Sequence, residues 1–336
     1  LTVRVAGGSP TAVANAARGG SIVFVSNGVY GVAASLALSA NITVQGVNGP
    51  AVTTVYRTAG DFPIFSLSHS GALVTGLRIT NGYWNATGRG GSVDMSAGTV
   101  SNCVIANTPY IGGNQSGAVN LSGGLVTDCV ISSSVPRSFA LRLNGGEVES
   151  SMIAANNDPY DEGPILIYAG VLRRCRLISN IGRSGGSGNA YMTGGRIENT
   201  LIYGNASERA GRPGGIRLNG GTLVNCTVAG NTNGAGAAVG SGVYRTAGNM
   251  TNCIVYGNTG SGGTNYGGAA SAAWYSCAPE LADGVQGNLT ANPAFQGTGK
   301  GDFRLKPGSP CINSGTILPG VYAAVDLDGR PRIIGG

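Results

Sequence analysis

One nine-residue frame recurs down this chain and limits its fold more tightly than any other feature. It reads LVNCTVAGN at 223–231, MTNCIVYGN at 250–258, IENTLIYGN at 197–205 and LRRCRLISN at 172–180. Looser copies stand at 148–156 (VESSMIAAN), 126–134 (VTDCVISSS) and 100–108 (VSNCVIANT). Indexed on the fourth place, the series runs Leu77, Cys103, Cys129, Ser151, Cys175, Thr200, Cys226 and Cys253, in steps of 22 to 27 residues. From Cys103 onward, the residue three places before the index is always apolar and the one two places after is always aliphatic. Fixed inward places beside variable neighbours describe a strand with one buried face.

A second segment precedes each frame, as in AVNLSGG (118–124), FALRLNGG (139–146), NAYMTGG (189–195) and GGIRLNGG (214–221). Its apolar place is followed by a small residue and glycine, which suits a tight bend needing positive φ. A unit of about 25 residues cannot bury its own apolar side, so neighbouring units must stack. The frame also looks like a leucine-rich repeat, but the return path here is Gly-rich and carries another strand, with no helical periodicity. The expected fold is therefore all-β, a single-stranded right-handed parallel β-helix of about 25 residues per coil. Stacking at about 4.8 Å sets Cys103, Cys129, Cys175, Cys226 and Cys253 in an inward column of reduced thiols. Asn156, Asn180, Asn205, Asn231 and Asn258 form a second column, whose amides tie one another and the corner backbone. No C-x-x-C occurs and His69 is the single histidine, so nothing in this pattern reads as a metal centre.

The ends depart from the repeat, as solenoids require. SPTAVANAARGG (9–20) reads as a capping helix, with Ser9 as N-cap, Pro10 at the first position and a closing glycine. The partition expected is 1–50 for the cap and first coils, 51–270 for the β-helix, and 271–336 for an irregular C-terminal cap. The frame fades past Cys253; Cys277 and Cys311 fall in loop-rich sequence and are expected to pair as a disulfide, worth about 3 kcal/mol. Such a bond implies an oxidising compartment. Charged residues make up 11% of the chain, so Ser, Thr, Asn and Gly must cover its surface, a habit of secreted β-rich proteins. The net charge of +6 comes mostly from arginine and favours acidic polysaccharide or anionic surfaces. No basic cluster interleaved with aromatics reads as a nucleic-acid face, and no window approaches a membrane span. The opening LTVRVAGG is no signal peptide; either one has been removed or the chain starts downstream of it.

GGTLVNCTVAGN, TNCIVYGN, GNLTANPAFQGTGKGDFRLKPGSPCINSG and DLDGRPRIIGG resemble the right-handed β-helix proteins of the pectate-lyase-like superfamily. More narrowly, they resemble bacterial surface proteins with a choice-of-anchor Q type C-terminal region, and the coils are similar to polymorphic outer-membrane repeats. TAVANAARGGSIVFVSNGVY matches that family's capping helix and first coil. The resemblance implies export to the cell surface or extracellular space, with adhesion the usual role. Because relatives commonly continue beyond the point reached by IIGG, the chain is also readable as a fragment. The same fold hosts lyases, hydrolases and epimerases and does not choose among them.

Three functions follow as expectations. The first is a non-catalytic extracellular structural or adhesin-like protein, self-assembling or bound to cell-surface polysaccharide, with no cofactor. The second is a lyase or hydrolase of an acidic glycan. Its candidates are the acidic loop NNDPYDEG (156–163), with Asp158, Asp161 and Glu162 as acids or Ca²⁺ ligands, and Arg142 and Arg173 in flanking coils. The third is a glycan-binding module without turnover. Its face is the outward column Asp94, Asn120, Arg142, Leu166, Tyr191, Arg217 and Tyr244, beside Ser96, Ser122, Asn144, Tyr168, Thr193, Asn219 and Thr246. Arg142, Tyr168, Tyr191, Arg217 and Tyr244 are the proposed ligand contacts. VYRTAG, at 55–60 and 243–248, reads as a duplication remnant.

Overall fold

A computed structural model describes residues 2–5, 19–109, 117–134, 139–158, 163–183, 189–234, 239–262, 264–319 and 325–331. Most of the segment expected to form the capping helix lies outside these residues. Each lap lays down a leading strand, a glycine corner, a middle strand, a two-residue turn and a trailing strand, and several laps add a two-residue fourth strand. In the lap over Gly117–Leu121, for example, the middle strand is Leu125–Thr127 and the trailing strand Val130–Ser132. Equivalent strands of successive laps pair in parallel, so the chain winds as a β-helix. The largest sheet joins 20 strands because two of them, Ile216–Val224 and Val243–Thr251, run through the corner between leading and middle ladders. Among the described residues the trailing ladder holds ten strands and the short fourth ladder five.

Register puts like over like. The middle ladder stacks Val74, Val100, Val126, Val148, Leu172, Ile197, Leu223 and Met250. The trailing ladder stacks Ile79, Ile105, Ile131, Ile153, Leu177, Ile202, Val228 and Val255. Every one of these sixteen residues is fully buried. Ladders of this kind remove apolar surface from water on every lap, which is the main favourable term in the fold.

The corners explain the recurring small residues. Between leading and middle strands the chain passes through glycines at positive φ, among them Gly124 (φ 85°) and Gly146 (φ 70°). A Cβ on Gly146 would meet the carbonyl oxygen of Gly124 at 2.5 Å, so neighbouring corners nest only as bare backbone. Between middle and trailing strands, the residue before the index is left-handed in every lap from Asn102 to Tyr275, through Asp128, Ser150, Arg174, Asn199, Asn225 and Asn252. Asn and Asp tolerate that region best. The index side chain then donates to the carbonyl two residues back: Cys129 to Thr127 (3.1 Å), Cys175 to Arg173 (3.2 Å), Cys226 to Val224 (3.2 Å), Ser151 to Glu149 (2.7 Å) and Thr200 to Glu198 (2.9 Å). Cys, Ser and Thr share this column because each is a small donor. Where the next lap offers a hydroxyl, it also accepts the amide of the index residue below, as Ser151 does for Cys129 and Ser276 for Cys253.

The asparagine column is continuous. Asn156, Asn180, Asn205 and Asn231 each donate from Nδ2 to Oδ1 of the next asparagine, at 2.9, 3.0, 2.9 and 2.8 Å, and Asn258 passes the chain on to Asn265 Oδ1 at 3.3 Å. Each Nδ2 also reaches a strand carbonyl one lap back, and each Oδ1 above Asn156 accepts the neighbouring backbone amide. These side chains are buried and their polar atoms spent.

Two expectations about the C-terminal end are corrected. The ladder does not fade at Cys253: Ser276 takes the next index place, its amide bonds Asn288 Oδ1, and Ile254, Cys277 and Leu289 bridge in parallel. Cys277 and Cys311 are free thiols in this structure rather than a disulfide. The two thiols adjoin: their mutual hydrogen bond and burial push Cys277 up, whereas that bond pulls Cys311 down against the effect of burial. Past this point Phe295–Gly297 and Asp302–Leu305 form an antiparallel hairpin. Thr316 then clips to the αL column, its amide donating to Asn252 Oδ1 (2.9 Å) and its carbonyl accepting from Asn252 Nδ2 (2.8 Å).

Truncating Asn205 to Ala orphans the Asn180 amide and two donors' worth of ladder bonds. Urea unfolding is expected to show a loss of about 3–5 kcal/mol. Cys226→Ser keeps both size and donor and is expected to stay within about 1 kcal/mol of the parent.

Candidate functional site

The leading ladder carries an outward column in strict register: Asp94, Asn120, Arg142, Leu166, Tyr191, Arg217 and Tyr244. Alternation within each strand sends these side chains away from the core that their neighbours fill. At the N-terminal end the column is locked. Asp94 accepts Asn120 Nδ2 (2.8 Å) and the Gly90 amide (3.3 Å), faces Arg89 at 3.5 Å, and is nearly buried. Asn144 continues the chain by donating to Asn120 (2.8 Å). Arg89 lies over Trp84 at 5.0 Å.

Toward the C-terminal end the column turns cationic and aromatic. The Arg142 guanidinium stands 5.0 Å above the Tyr168 ring, and that of Arg217 5.5 Å above Tyr191. Tyr191 Oη accepts from Asn219, which in turn accepts from Thr246. Arg212, in the loop before this strand, has its pKa lowered by burial and by the nearby charges of Arg217 and Arg209. Glu208, the closest acid in sequence, is turned to Arg183 at 3.1 Å. Among the described residues no carboxylate ion-pairs with Arg209 or Arg212. Like charges this close disfavour one another's charged form, as the lowered Arg212 shows.

The enzyme candidates are not brought together. Asp158 is fully buried in the short fourth ladder, where Oδ2 accepts the Gly163 amide at 2.8 Å, so it closes its own turn. Asp161 and Glu162 lie outside the described residues. Arg142 belongs to the leading ladder and Arg173 to the middle one. His69 is exposed at a corner and accepts the Gly71 amide. Among the described residues no group of three His, Cys, Asp or Glu is placed to hold a metal ion.

A network missing from the sequence reading lies on the outward side of the middle ladder. Register stacks Glu149, Arg173 and Glu198 on three successive laps, beside Glu147 and Arg196. Arg173 bridges Glu147 and Glu149, Arg174 also pairs with Glu149, and Arg196 reaches Glu198 at 3.0 Å. Glu198 is fully buried, and burial raises its pKa above the ordinary 4.5 despite Arg196 and Arg173. These acids are up to two laps apart in sequence, so a search for local acidic clusters passes over them. Counting laps between Glu149 and Glu198 would have found them. Each is matched by arginine, as a structural network is.

No protein-family model matches the chain, and no curated protein matches it. Among solved structures, the pectate lyase Pel9A is similar at 13% identity and a TM-score of 0.47, over 97% of this chain and 91% of that one. The PL6 family alginate lyase AlyGC gives 14% and 0.45, over 87% and 49%. The A-module of the Azotobacter vinelandii mannuronan C-5 epimerase AlgE4 gives 15% and 0.41, over 83% and 88%. At these scores the likeness carries no residue-level or functional weight; the fold stands on the strand register above.

Because the folded-state pKa of Glu198 is raised, folding takes up a proton in the window that opens at 4.5, and wild-type stability falls as pH climbs through it. Glu198→Gln removes that titration. Its stability relative to wild type is therefore expected to rise from pH 4 to pH 7 in parallel urea titrations; a flat or falling difference contradicts the raised carboxyl.

Proposed function

We propose that this chain is a non-catalytic, adhesin-like β-helix that holds an extended acidic glycan along its leading face. The observation that carries the reading is the arginine group Arg209, Arg212 and Arg217 beside Tyr191, at one end of a column that also presents Arg142 over Tyr168. A guanidinium can take a carboxylate or sulfate through two parallel bonds, and stacking on tyrosine orients it. The tyrosine faces offer apolar surface for the C–H side of a pyranose. Arg142 and Arg217 stand three rungs apart, about 14 Å, with the buried Leu166 rung between Arg142 and Tyr191. The lone described acid of this column, Asp94, is already committed to Asn120, Gly90 and Arg89, which favours binding over acid–base chemistry.

The finer features of the reading belong together. A right-handed winding follows from strand twist. A pectate-lyase-like relationship and a choice-of-anchor Q type C-terminal region follow from the quoted motifs, and exposure at the bacterial surface or outside the cell fits the low charge content. Self-association is the natural partner of a stalk-like solenoid, through its coil ends.

The test is titration with polygalacturonate and alginate, followed calorimetrically. Saturable binding that weakens with added salt is expected, with Arg212→Ala/Arg217→Ala losing at least tenfold, about 1.4 kcal/mol. Equal binding by that variant, or no binding to any uronate polymer, overturns the reading. Release of unsaturated products in the same tubes would instead favour a polysaccharide lyase, the enzymatic alternative.

A further inference from the structure

The C-terminal hairpin does more than close the solenoid. It stands off the trailing ladder and leaves a half-open cleft of about 500 Å³, lined by Tyr203, Tyr256, Asn292, Phe295, Phe303 and Lys306. That volume falls in the range of small-ligand sites, about 300–1,000 Å³. The cleft exists because the trailing ladder alternates large and small along one outward column. Tyr203, Ala229 and Tyr256 pair in register, so two rings flank a one-rung notch floored by Ala229 and Gly230. The Tyr203 ring leans over Gly230, where a Cβ would meet it at 2.8 Å, while nothing approaches Gly257 within 4 Å. On the other side Phe303 meets Tyr203 edge-on at 4.7 Å and Phe295 at 5.2 Å, which fixes the aromatic wall.

The polar groups at the cleft are donors not yet spent. Asn292 uses Oδ1 on the Ala294 amide, which leaves Nδ2 available. Among the described residues the Tyr203 and Tyr256 hydroxyls have no hydrogen-bond partner and the Lys306 ammonium no carboxylate. Asp302, the nearest acid in sequence, is fully engaged by Arg304 at 2.6 and 2.8 Å.

We infer that this cleft is a second binding site, for a single pyranose bearing an acid group, at the end of a glycan chain or free. Aromatic walls take the apolar face of the ring, hydroxyls and the Asn292 amide take its oxygens, and Lys306 takes the carboxylate. The inference shares no residue with the leading face, so either site can fail without the other.

The probe is sodium galacturonate, with galactose as its neutral counterpart, followed by protein-observed NMR on the whole chain. Expected are saturable shifts of cleft resonances with galacturonate, at least tenfold weaker binding in Tyr256→Ala, retention in Tyr256→Phe, and no change in Arg212→Ala/Arg217→Ala. Lys306→Met is expected to erase the preference for galacturonate over galactose. Unchanged galacturonate affinity in both Tyr256→Ala and Lys306→Met, or shifts confined to the leading face, overturns the site; equal binding of the two sugars to the parent chain overturns the acid assignment.

Discussion

Everything in this molecule depends on closing each lap in the same register as the one beneath it. A parallel strand has no turn of its own to fix its partner, so register has to come from the corners and from the inward columns. Here three devices supply it: nested glycines, an αL residue followed from Cys103 onward by a small side chain, and, from Asn156 onward, an amide column that spends every polar atom it buries. A slip of one residue would turn the aliphatic columns outward and leave the asparagines without acceptors. The aliphatic burial drives stacking; the corner hydrogen bonds decide which stacking.

That division explains how the outer surface comes to be usable. Inward places are dictated by packing, whereas outward places answer only to their neighbours one rung away. Arg142 and Arg217 are held over tyrosines within the same rigid ladder, and the cost of ordering those long side chains is met by stacking rather than by a ligand. Around Arg212, by contrast, burial and the like charges of Arg217 and Arg209 oppose its own charge. On the middle ladder the same kind of charge is instead matched rung by rung through Arg173 and Glu149, and nothing is left over for a partner.

Much of this was legible in the sequence, for a physical reason. Positions that face inward must repeat, so the cysteine and asparagine columns, the glycine corners and the outward column from Asp94 to Tyr244 could all be aligned by counting. The αL place before each index residue was equally written there as Asn102, Asp128, Asn199, Asn225 and Asn252, but Ser150, Arg174 and Tyr275 blur it. The Glu149–Arg173–Glu198 network was hidden because its members belong to different laps. Beyond Cys253 the laps shorten, so counting by 25 misses the step from Ser276 to Asn288. The aromatic cleft was beyond reach, since it joins the trailing ladder to a hairpin about fifty residues downstream. Cys277 sits one place past the index Ser276 in the continuing ladder, which counting by 25 did not show, and the state of the Cys277 and Cys311 thiols was not legible either.

The claim at the centre is that successive laps add one strand spacing each along a common axis. Ser101 and Thr251 occupy the same outward place of the middle ladder, six rungs apart. Spin labels at these two positions, in a Cys311→Ser background, report their separation by pulsed electron resonance. A single distribution centred near six strand spacings, about 29 Å, is the result predicted; a much longer mean, or several resolved distances, would contradict the register on which every site described above is built.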